Sequence, residues 1–136
     1  MRWALRTALV IAVVCVLAGC GRVDTAGRTP RSSTAPPVAV SRPDVGFRTT
    51  RRLDEHYAEH GGEFGSVSRD EYLRLAQTLR DRPTGGSVLE VVRRDDTVTR
   101  FDRTTGAFVA FERDGVIRTF FRPNDGERYF ERQARR

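Results

Sequence analysis

The feature that most constrains the fold is a change of sequence pattern after Gly86. From there on, β-branched and aromatic residues form four short runs, at residues 87–94, 97–103, 107–113 and 116–122. Turn sequences separate the runs, namely Asp95-Asp96, Thr104-Thr105-Gly106 and Asp114-Gly115, and Asp-Gly between two such runs is a strong hairpin signal. Four consecutive strands joined by short turns predict an antiparallel meander sheet.

Two helices are predicted ahead of the sheet. The first covers residues 50–60 and ends at Gly61-Gly62, because glycine favours the end of a helix. The second opens with the capping box Ser68-Arg69-Asp70-Glu71 and keeps apolar residues at helical spacing until residues 81–86. Two helices followed by four strands predict an α+β fold in which the helices pack on one face of the sheet. The tail, residues 124–133, carries Tyr129 and Phe130 as anchors of a fifth strand or a terminal turn.

The first twenty residues combine positive charge, an apolar stretch and a cysteine. Arg2 and Arg6 precede a short apolar stretch that ends in Leu17-Ala18-Gly19-Cys20, as in a signal peptide with its cleavage site. This segment resembles a bacterial lipoprotein signal. The apolar stretch is shorter than the roughly 20 residues of a membrane-spanning helix. The resemblance implies that residues 1–19 are removed and that Cys20 receives a diacylglycerol thioether. A secretory signal without lipid is the alternative.

Residues 20–46 are predicted to form a flexible tether behind the lipidated Cys20. They are rich in Arg, Thr, Ser and Pro and contain no aromatic residue, so they cannot bury enough surface to order themselves. Residues 47–136 carry all eight Phe and all three Tyr residues, which indicates one small domain. We expect this domain in the cell envelope, on the outer side of the cytoplasmic membrane or on the periplasmic face in a two-membrane cell.

The charge of the chain is mildly basic, and the folded part lacks cysteine. There are 24 basic and 18 acidic residues, and every basic residue is Arg. Cys15 leaves with the signal and Cys20 carries the lipid, so no disulfide is available and the domain depends on its hydrophobic core.

Both histidines lie in His56-Tyr57-Ala58-Glu59-His60, four residues apart and on one face of a helix. This H-x-x-E-H sequence matches the inverzincin pattern, with two zinc ligands and Glu59 as general base. Gly61 ends the helix at once, the domain is small for a metalloprotease, and no downstream acid stands out as a third ligand. We therefore expect no metal ion and no other cofactor. The alternative is a pair of exposed histidines without a catalytic or metal-binding role, with His60 at the negative end of the helix dipole.

Short motifs follow one another along the domain in a distinctive order. They are His56 and His60-Gly61, Glu63-Phe64-Gly65, Ser68 with Glu71-Tyr72-Leu73 and Ala76, Thr105-Gly106 with Phe108, residues 115–123, and Tyr129-Phe130-Glu131-Arg132-Gln133. This order resembles the small toxin domains at the C-termini of bacterial polymorphic toxins and in phage proteins. Those domains are grouped with the barnase, EndoU, colicin and RelE-like ribonucleases.

The resemblance implies helices on a four-stranded antiparallel sheet and RNA cleavage without a metal, in which a ribose 2′-OH attacks the adjacent phosphate. Such chemistry needs a base or acid near neutral pH, a cation and hydroxyl donors at the phosphate. The implied catalytic residues are His60, with His56 as a substitute, Thr119 and Thr105 as hydroxyl donors, and Arg94 or Arg100 as the cation. Arg118, Arg122 and Tyr129 are implied to bind substrate, Tyr129 by stacking on a base.

The face of the sheet that carries this site stays open from the sequence alone. In a regular fourth strand, Arg118 and Arg122 would point to one side and Thr119 to the other. The location also leaves alternatives, since RNA is absent outside the membrane. Three alternatives follow. The protein is an exported effector that acts in a neighbouring cell and travels with an immunity protein, or a domesticated domain that has kept the fold and lost catalysis. In the third, it is a catalytically inactive envelope lipoprotein that shares only the fold and uses it to bind a protein partner.

Overall fold

One antiparallel sheet lies at the centre of residues 40–136, the part of the chain that the computed structural model describes. The strands β1 (Val88–Val92), β2 (Val98–Asp102), β3 (Ala107–Phe111) and β4 (Ile117–Phe121) lie in the order β1-β2-β3-β4. The predicted meander and the α+β class are confirmed, although each strand is shorter than its apolar run because the ends of the runs form the turns. Cys20, the signal of residues 1–19 and the tether up to residue 39 lie outside the described residues.

Three α-helices flank the sheet, α1 (Thr50–His60), α2 (Arg69–Asp81) and α3 (Glu127–Ala134). At the start of α1, the Thr49 side chain accepts a hydrogen bond from the Arg52 N–H, and Ser68 and Glu71 form the predicted capping box of α2. These caps satisfy backbone N–H groups that the first turn of a helix leaves unpaired. In residues 40–136, no helix combines the length and the apolar character that crossing a membrane requires.

The helices α1 and α2 pack on one face of the sheet, as predicted. Their core residues Leu53, Tyr72, Ala76 and Leu79 form one buried cluster with sheet residues that include Val88, Val109, Ile117 and Phe120. The Tyr72 hydroxyl donates to the Phe120 carbonyl, so this buried polar group is satisfied. This bond fixes α2 against β4, and α1 contacts the same strand.

The helix α3 covers the opposite face of the sheet, and the prediction of a fifth strand or a terminal turn for residues 124–133 is wrong. Phe130 lies on Phe101, Phe108 and Ala110 in a second buried cluster. The second face of the sheet carries these aromatic side chains, and a helix buries them better than a turn does. Every residue of β3 is buried as a consequence.

Residues 41–46, which the sequence assigns to the tether, are bound to α2. We call this segment the strap. Gln77 and Arg80 are both buried, and they donate to the backbone carbonyls of Arg42, Pro43 and Val45. The Gly46 carbonyl accepts from the Ile117 N–H at 2.9 Å. Composition alone does not reveal the strap, because its bonding groups are backbone carbonyls that any sequence would supply.

Candidate active site

The candidate site lies at the outer edge of β4, the last strand of the sheet. The pairing of β4 with β3 is irregular: Phe111 lies opposite Ile117, whereas Ala110 lies opposite Thr119. Arg118 is therefore the extra residue of a β-bulge, which interrupts the alternation of side chains. The pattern expected for a regular strand does not hold at Arg118, and Ile117 and Phe120 share the cluster under α1 and α2.

The end of α1 brings His60 to this edge. The chain passes from α1 directly into the 3₁₀ turn Gly61–Phe64, and a Cβ at residue 61 would lie 2.5 Å from the Tyr57 ring. Glycine at 61 thus permits a close approach, in addition to ending α1.

Within this turn, Glu63 holds the His60 ring by a hydrogen bond. Glu63 Oε1 lies 2.9 Å from His60 Nδ1. An ionised carboxylate only accepts hydrogen bonds, so Nδ1 donates this bond, and in the neutral imidazole Nε2 keeps a lone pair. The Glu59 carboxylate is 3.7 Å from Nε2, which is too far for a hydrogen bond. This arrangement suits a general base.

Aromatic rings extend on both sides of His60 in a continuous row. We call the rings of Phe47, His56, His60, Phe121 and Tyr129 the aromatic row, and its successive centroids are 5.2, 6.0, 5.1 and 5.3 Å apart. The first three contacts are stacked and the last is edge-to-face. Since the His60 side chain is 18% exposed, the row fixes the imidazole and leaves it accessible to solvent.

Arg122 places a positive charge next to the pair of His60 and Glu63. Its backbone N–H donates to Glu63 Oε2 at 2.6 Å, and its Nη1 donates to the Glu63 carbonyl at 2.8 Å. The guanidinium lies over the Phe64 ring, 4.8 Å from the centroid, which is a favourable cation–π distance. Both Glu63 and Arg122 are thus held in place by the turn that follows α1.

A cleft of about 290 Å³ opens next to Arg122, between α2 and the end of β4. Its walls are mainly apolar, and Arg82, Thr105 and Arg122 supply polar groups; the apolar residues are Phe64, Val67, Leu75, Leu79, Ala107 and Phe120. The Thr105 hydroxyl donates to Asp102 Oδ2 at 2.9 Å, and Arg82 donates to the same oxygen. The cleft therefore offers an apolar ligand surface with guanidinium donors at its rim.

Asp102, the acceptor of these bonds, is a buried structural carboxylate. Burial by itself raises the pKa of Asp102, but hydrogen bonds from the Thr104 N–H and from the Thr105 and Ser87 hydroxyls, together with Arg82, outweigh it and lower the pKa below the usual value. The Asp102 side chain stays ionised and joins the β2–β3 turn to the end of α2.

His56 differs from His60 in its surroundings. Its Nδ1 is buried and has no hydrogen-bond partner among the described residues. Burial lowers the pKa of His56, and the charges of His60 and Arg52 lower it further against the opposing effect of Glu59. His56 is therefore neutral near pH 7 and suits a proton donor poorly.

The remaining predicted residues lie elsewhere or serve other contacts. Arg100 Nη1 donates to the carbonyls of Arg80 and Arg82 and its Nε to Glu90, so this side chain caps the end of α2. Arg94 is exposed in the β1–β2 turn, and the strand registers place that turn at the opposite end of the sheet from Phe121. Thr119 is half-buried on the α3 face of β4, two residues before Phe121. The structure thus brings together His60, Arg122 and Tyr129.

His56, His60 and Glu59 do not form a set of metal ligands. Across residues 40–136, no group of three or more His, Cys, Asp or Glu side chains has an arrangement that could hold a metal ion. The rings of His56 and His60 are stacked at an interplanar angle of 23°.

Sequence reasoning missed two residues of the site, Glu63 and Phe121. Glu63 follows His60 by three residues, a spacing at which side chains meet within a helical turn. The contact between the two residues was therefore predictable from the sequence. Phe121 looks like a core residue in the sequence, and its contact with His60 depends on how α1 crosses the end of β4.

No protein-family description and no curated protein sequence matches the chain. Among solved structures, it is similar to a ribonuclease from Escherichia coli in complex with its inhibitor protein. The two share 19% sequence identity over 58% of this chain and 95% of that chain, with a TM-score of 0.39. At this identity and TM-score, the similarity supports no conclusion about activity.

Proposed function

We propose that the domain of residues 47–136 is an endoribonuclease that cleaves RNA by attack of a ribose 2′-OH on the adjacent phosphate, without a metal ion. The observation that carries the proposal is the hydrogen bond between His60 Nδ1 and Glu63, made beside Arg122 at an accessible sheet edge. The resemblance of the motif order to ribonuclease toxin domains supports the same chemistry.

Each of these groups has a defined role in the proposed reaction. His60 Nε2 removes the 2′-OH proton, and the oxygen forms a bond to phosphorus while the bond from phosphorus to O5′ breaks. Glu63 orients the imidazole and stabilises its protonated form, and Arg122 donates to the charged phosphorane oxygens. The products are a 2′,3′-cyclic phosphate and a 5′-hydroxyl, whose oxygen takes its proton from water.

The neighbouring surfaces suit the rest of a nucleotide. The apolar cleft beside Arg122 has walls on which a base can pack, and Arg82 and Arg122 can donate to its acceptor edge. Tyr129, at the end of the aromatic row, is the proposed stacking partner of a second base. Thr119 remains the proposed hydroxyl donor, since the Thr105 hydroxyl is bonded to Asp102.

The test is RNA cleavage by the full-length chain, purified in mild detergent and assayed with EDTA. We expect cyclic-phosphate ends on the products and a loss in kcat/KM of about 10²- to 10⁴-fold for His60→Ala. Glu59→Gln is the matched control and should change kcat/KM less than about threefold, whereas a metalloprotease-like site would depend on Glu59. A folded wild-type chain that cleaves no RNA contradicts the proposal and leaves the inactive protein-binding lipoprotein as the better hypothesis.

We also propose that the chain is anchored in the cell envelope by lipid on Cys20. The motif Leu17-Ala18-Gly19-Cys20 supports the proposal. In cells fed a clickable palmitate analogue, the wild-type chain should become labelled and Cys20→Ser should not. Cys15→Ser is the matched control and should label like the wild type; equal labelling of the Cys20→Ser chain would refute the lipid anchor.

An inhibitor protein is the proposed partner of an active ribonuclease, because the producing cell must be protected. The excess of basic over acidic residues, 24 against 18, favours an acidic inhibitor. We expect the gene of a small acidic protein beside this one, and its product should inhibit RNA cleavage at equimolar concentration. An active ribonuclease that this product leaves uninhibited would contradict the proposed partner alone.

A further inference from the structure

A second cavity, of about 260 Å³, lies at the start of β4. Three guanidinium side chains line it, those of Arg48, Arg52 and Arg118, together with His56 and Glu112. We call it the basic cavity. Three guanidinium groups face one carboxylate, so the lining is positively charged while His56 is neutral. A cavity of this kind attracts a compact anion.

The arginines of the basic cavity are available to a ligand. Arg48 pairs with Glu112, Arg52 with Glu55, and Arg118 with Asp95, and the three side chains are 67, 67 and 51% exposed. Arg118 Nη1 also donates to the Thr97 hydroxyl at 2.6 Å, and the side chain lines the cavity. Ion pairs this exposed contribute about 0–1 kcal/mol. A phosphate that contacts two or three guanidinium groups at once therefore competes well with the carboxylates.

The basic cavity adjoins the proposed catalytic group through the two histidines. His56 lines the cavity, and its ring lies 6.0 Å from that of His60. His56 and His60 lie one turn of α1 apart, about 5.4 Å along the helix axis, which is a short distance on the scale of one nucleotide. A strand with one phosphate at His60 thus reaches the cavity with a neighbouring phosphate.

We infer that the basic cavity binds a phosphate adjacent to the scissile phosphate of a single RNA strand that runs beside α1 from His60 to Arg52. The inference rests on the proposed function, because His60 marks the scissile position. Arg52 and Arg118 are the principal contacts, since they approach the cavity from α1 and from the bulge of β4.

Acidic residues limit this binding surface on its far side. Beyond the basic cavity, the β1–β2 and β3–β4 turns form a surface on which four carboxylates outnumber the guanidinium groups of Arg113 and Arg118, namely those of Asp95, Asp96, Glu112 and Asp114. Four carboxylates there disfavour further phosphates. The proposed binding surface therefore ends with the phosphate in the basic cavity, and longer RNA should gain little.

The first test compares cleavage of a dinucleotide, which has one phosphate, with cleavage of a trinucleotide, which has two. For the full-length chain in detergent, kcat/KM should rise roughly three- to tenfold with the second phosphate. Arg52→Ala should abolish this rise and leave dinucleotide cleavage unchanged, and Arg118→Ala should also abolish the rise. Arg51→Ala is the matched control, because Arg51 is the neighbouring residue of α1, pairs with the same Glu55 and does not line the cavity.

The second test measures binding without cleavage, using a thymidine trinucleotide that has no 2′-OH. In fluorescence anisotropy, Arg52→Ala should weaken binding about three- to tenfold and reduce the salt dependence, log K against log salt concentration, by about 0.7. Equal effects of Arg51→Ala and Arg52→Ala would overturn the inference and leave the ribonuclease proposal intact. Binding that depends on Arg52 in a chain that cleaves no RNA would overturn the ribonuclease and keep the phosphate site.

Discussion

The C-terminal ends of α1 and α2 both carry basic side chains, but the two ends use them differently. At the end of α2, Arg80 and Arg100 donate to backbone carbonyls of the strap, of α2 and of the β3–β4 turn. At the end of α1, His56 Nδ1 has no partner among the described residues, and His60 Nε2 is 3.7 Å from the Glu59 carboxylate.

This difference in hydrogen bonding distinguishes arginines that stabilise the fold from arginines that can bind a ligand. A guanidinium whose donors are bonded to buried carbonyls cannot leave them for a substrate without leaving those carbonyls unsatisfied. Arg100 belongs to this structural group, although the sequence favoured it as a phosphate contact. Arg122 and Arg52 hold fewer or weaker bonds and remain available for a ligand.

The largest effect expected on this comparison is that of Arg80→Ala at the end of α2. The substitution removes hydrogen bonds to the carbonyls of Arg42, Val45 and Gly115 and removes the buried partner of Asp81, whose side chain is 9% exposed, so we expect a loss of about 3–5 kcal/mol in unfolding free energy. Urea unfolding of the full-length chain, followed by circular dichroism, measures it. Arg74→Ala, on the exposed side of the same helix, should change the free energy by less than about 0.5 kcal/mol. Equal losses would contradict the structural role of Arg80.

A smaller loss of stability is expected for Arg100→Ala, which also affects the C-terminal end of α2. Loss of the cap on the last carbonyls of α2 and of the pair with Glu90 should cost about 2 kcal/mol in unfolding free energy. Arg94→Ala, in the exposed β1–β2 turn, serves as the comparison and should be neutral. If Arg100→Ala instead lowered kcat/KM more than a hundredfold with stability unchanged, Arg100 would be a catalytic cation.

At the end of α1, Glu63→Gln should affect activity and leave stability nearly unchanged. The amide retains the shape but no longer stabilises protonated His60, so kcat/KM for RNA should fall about tenfold, equivalent to about 1.4 kcal/mol. Unfolding free energy should change by less than about 1 kcal/mol. Glu131→Gln, at an exposed position of α3, is the control. Full activity of the Glu63→Gln chain would show that Glu63 is not part of the site.

The smallest effect expected is in the pH dependence of stability at Asp102. Because the folded protein lowers the pKa of Asp102 below its ordinary value of 3.8, the stabilisation is present above that value and is lost as the pH falls through the lower folded pKa. Asp102→Asn keeps an acceptor oxygen for its hydrogen bonds but removes the charge, so it should cost about 1 kcal/mol at pH 7 and should lose less stability than the wild type between pH 5 and pH 3. Identical losses in urea unfolding at the two pH values would rule out this contribution.

The parts of the fold that the sequence predicted are those with local signals. The capping box of Ser68 and Glu71 predicts the start of α2, and Asp114-Gly115 predicts the turn of the last hairpin. The helix α3 has no such signal: it follows Gly126, at φ 56°, in a segment that looks like a turn. The helix forms because it buries the apolar side chains of Phe101 and Phe108. Only the pairing of the strands brings these side chains together on one face of the sheet.

The candidate site was predictable to a similar extent. His60 stood out by its spacing from His56, and Arg122 and Tyr129 by the resemblance. The contact of Arg122 with Glu63 depends on the crossing of α1 over β4, and the position of Arg118 depends on the bulge. Neither is encoded in the spacing of residues along one strand, so the sequence could not choose the face of the sheet.

The strap determines how a mechanical load would enter the domain. A pull on the chain before residue 40 reaches the bond from Ser41 to Asp81 first, then the carbonyls held by Gln77 and Arg80, and then the Gly46 contact with β4. Phe47 comes next, and its ring is the first member of the aromatic row. A force applied to the chain before residue 40 would therefore act on the bonds between the strap and α2 before it reached the rings beside His60.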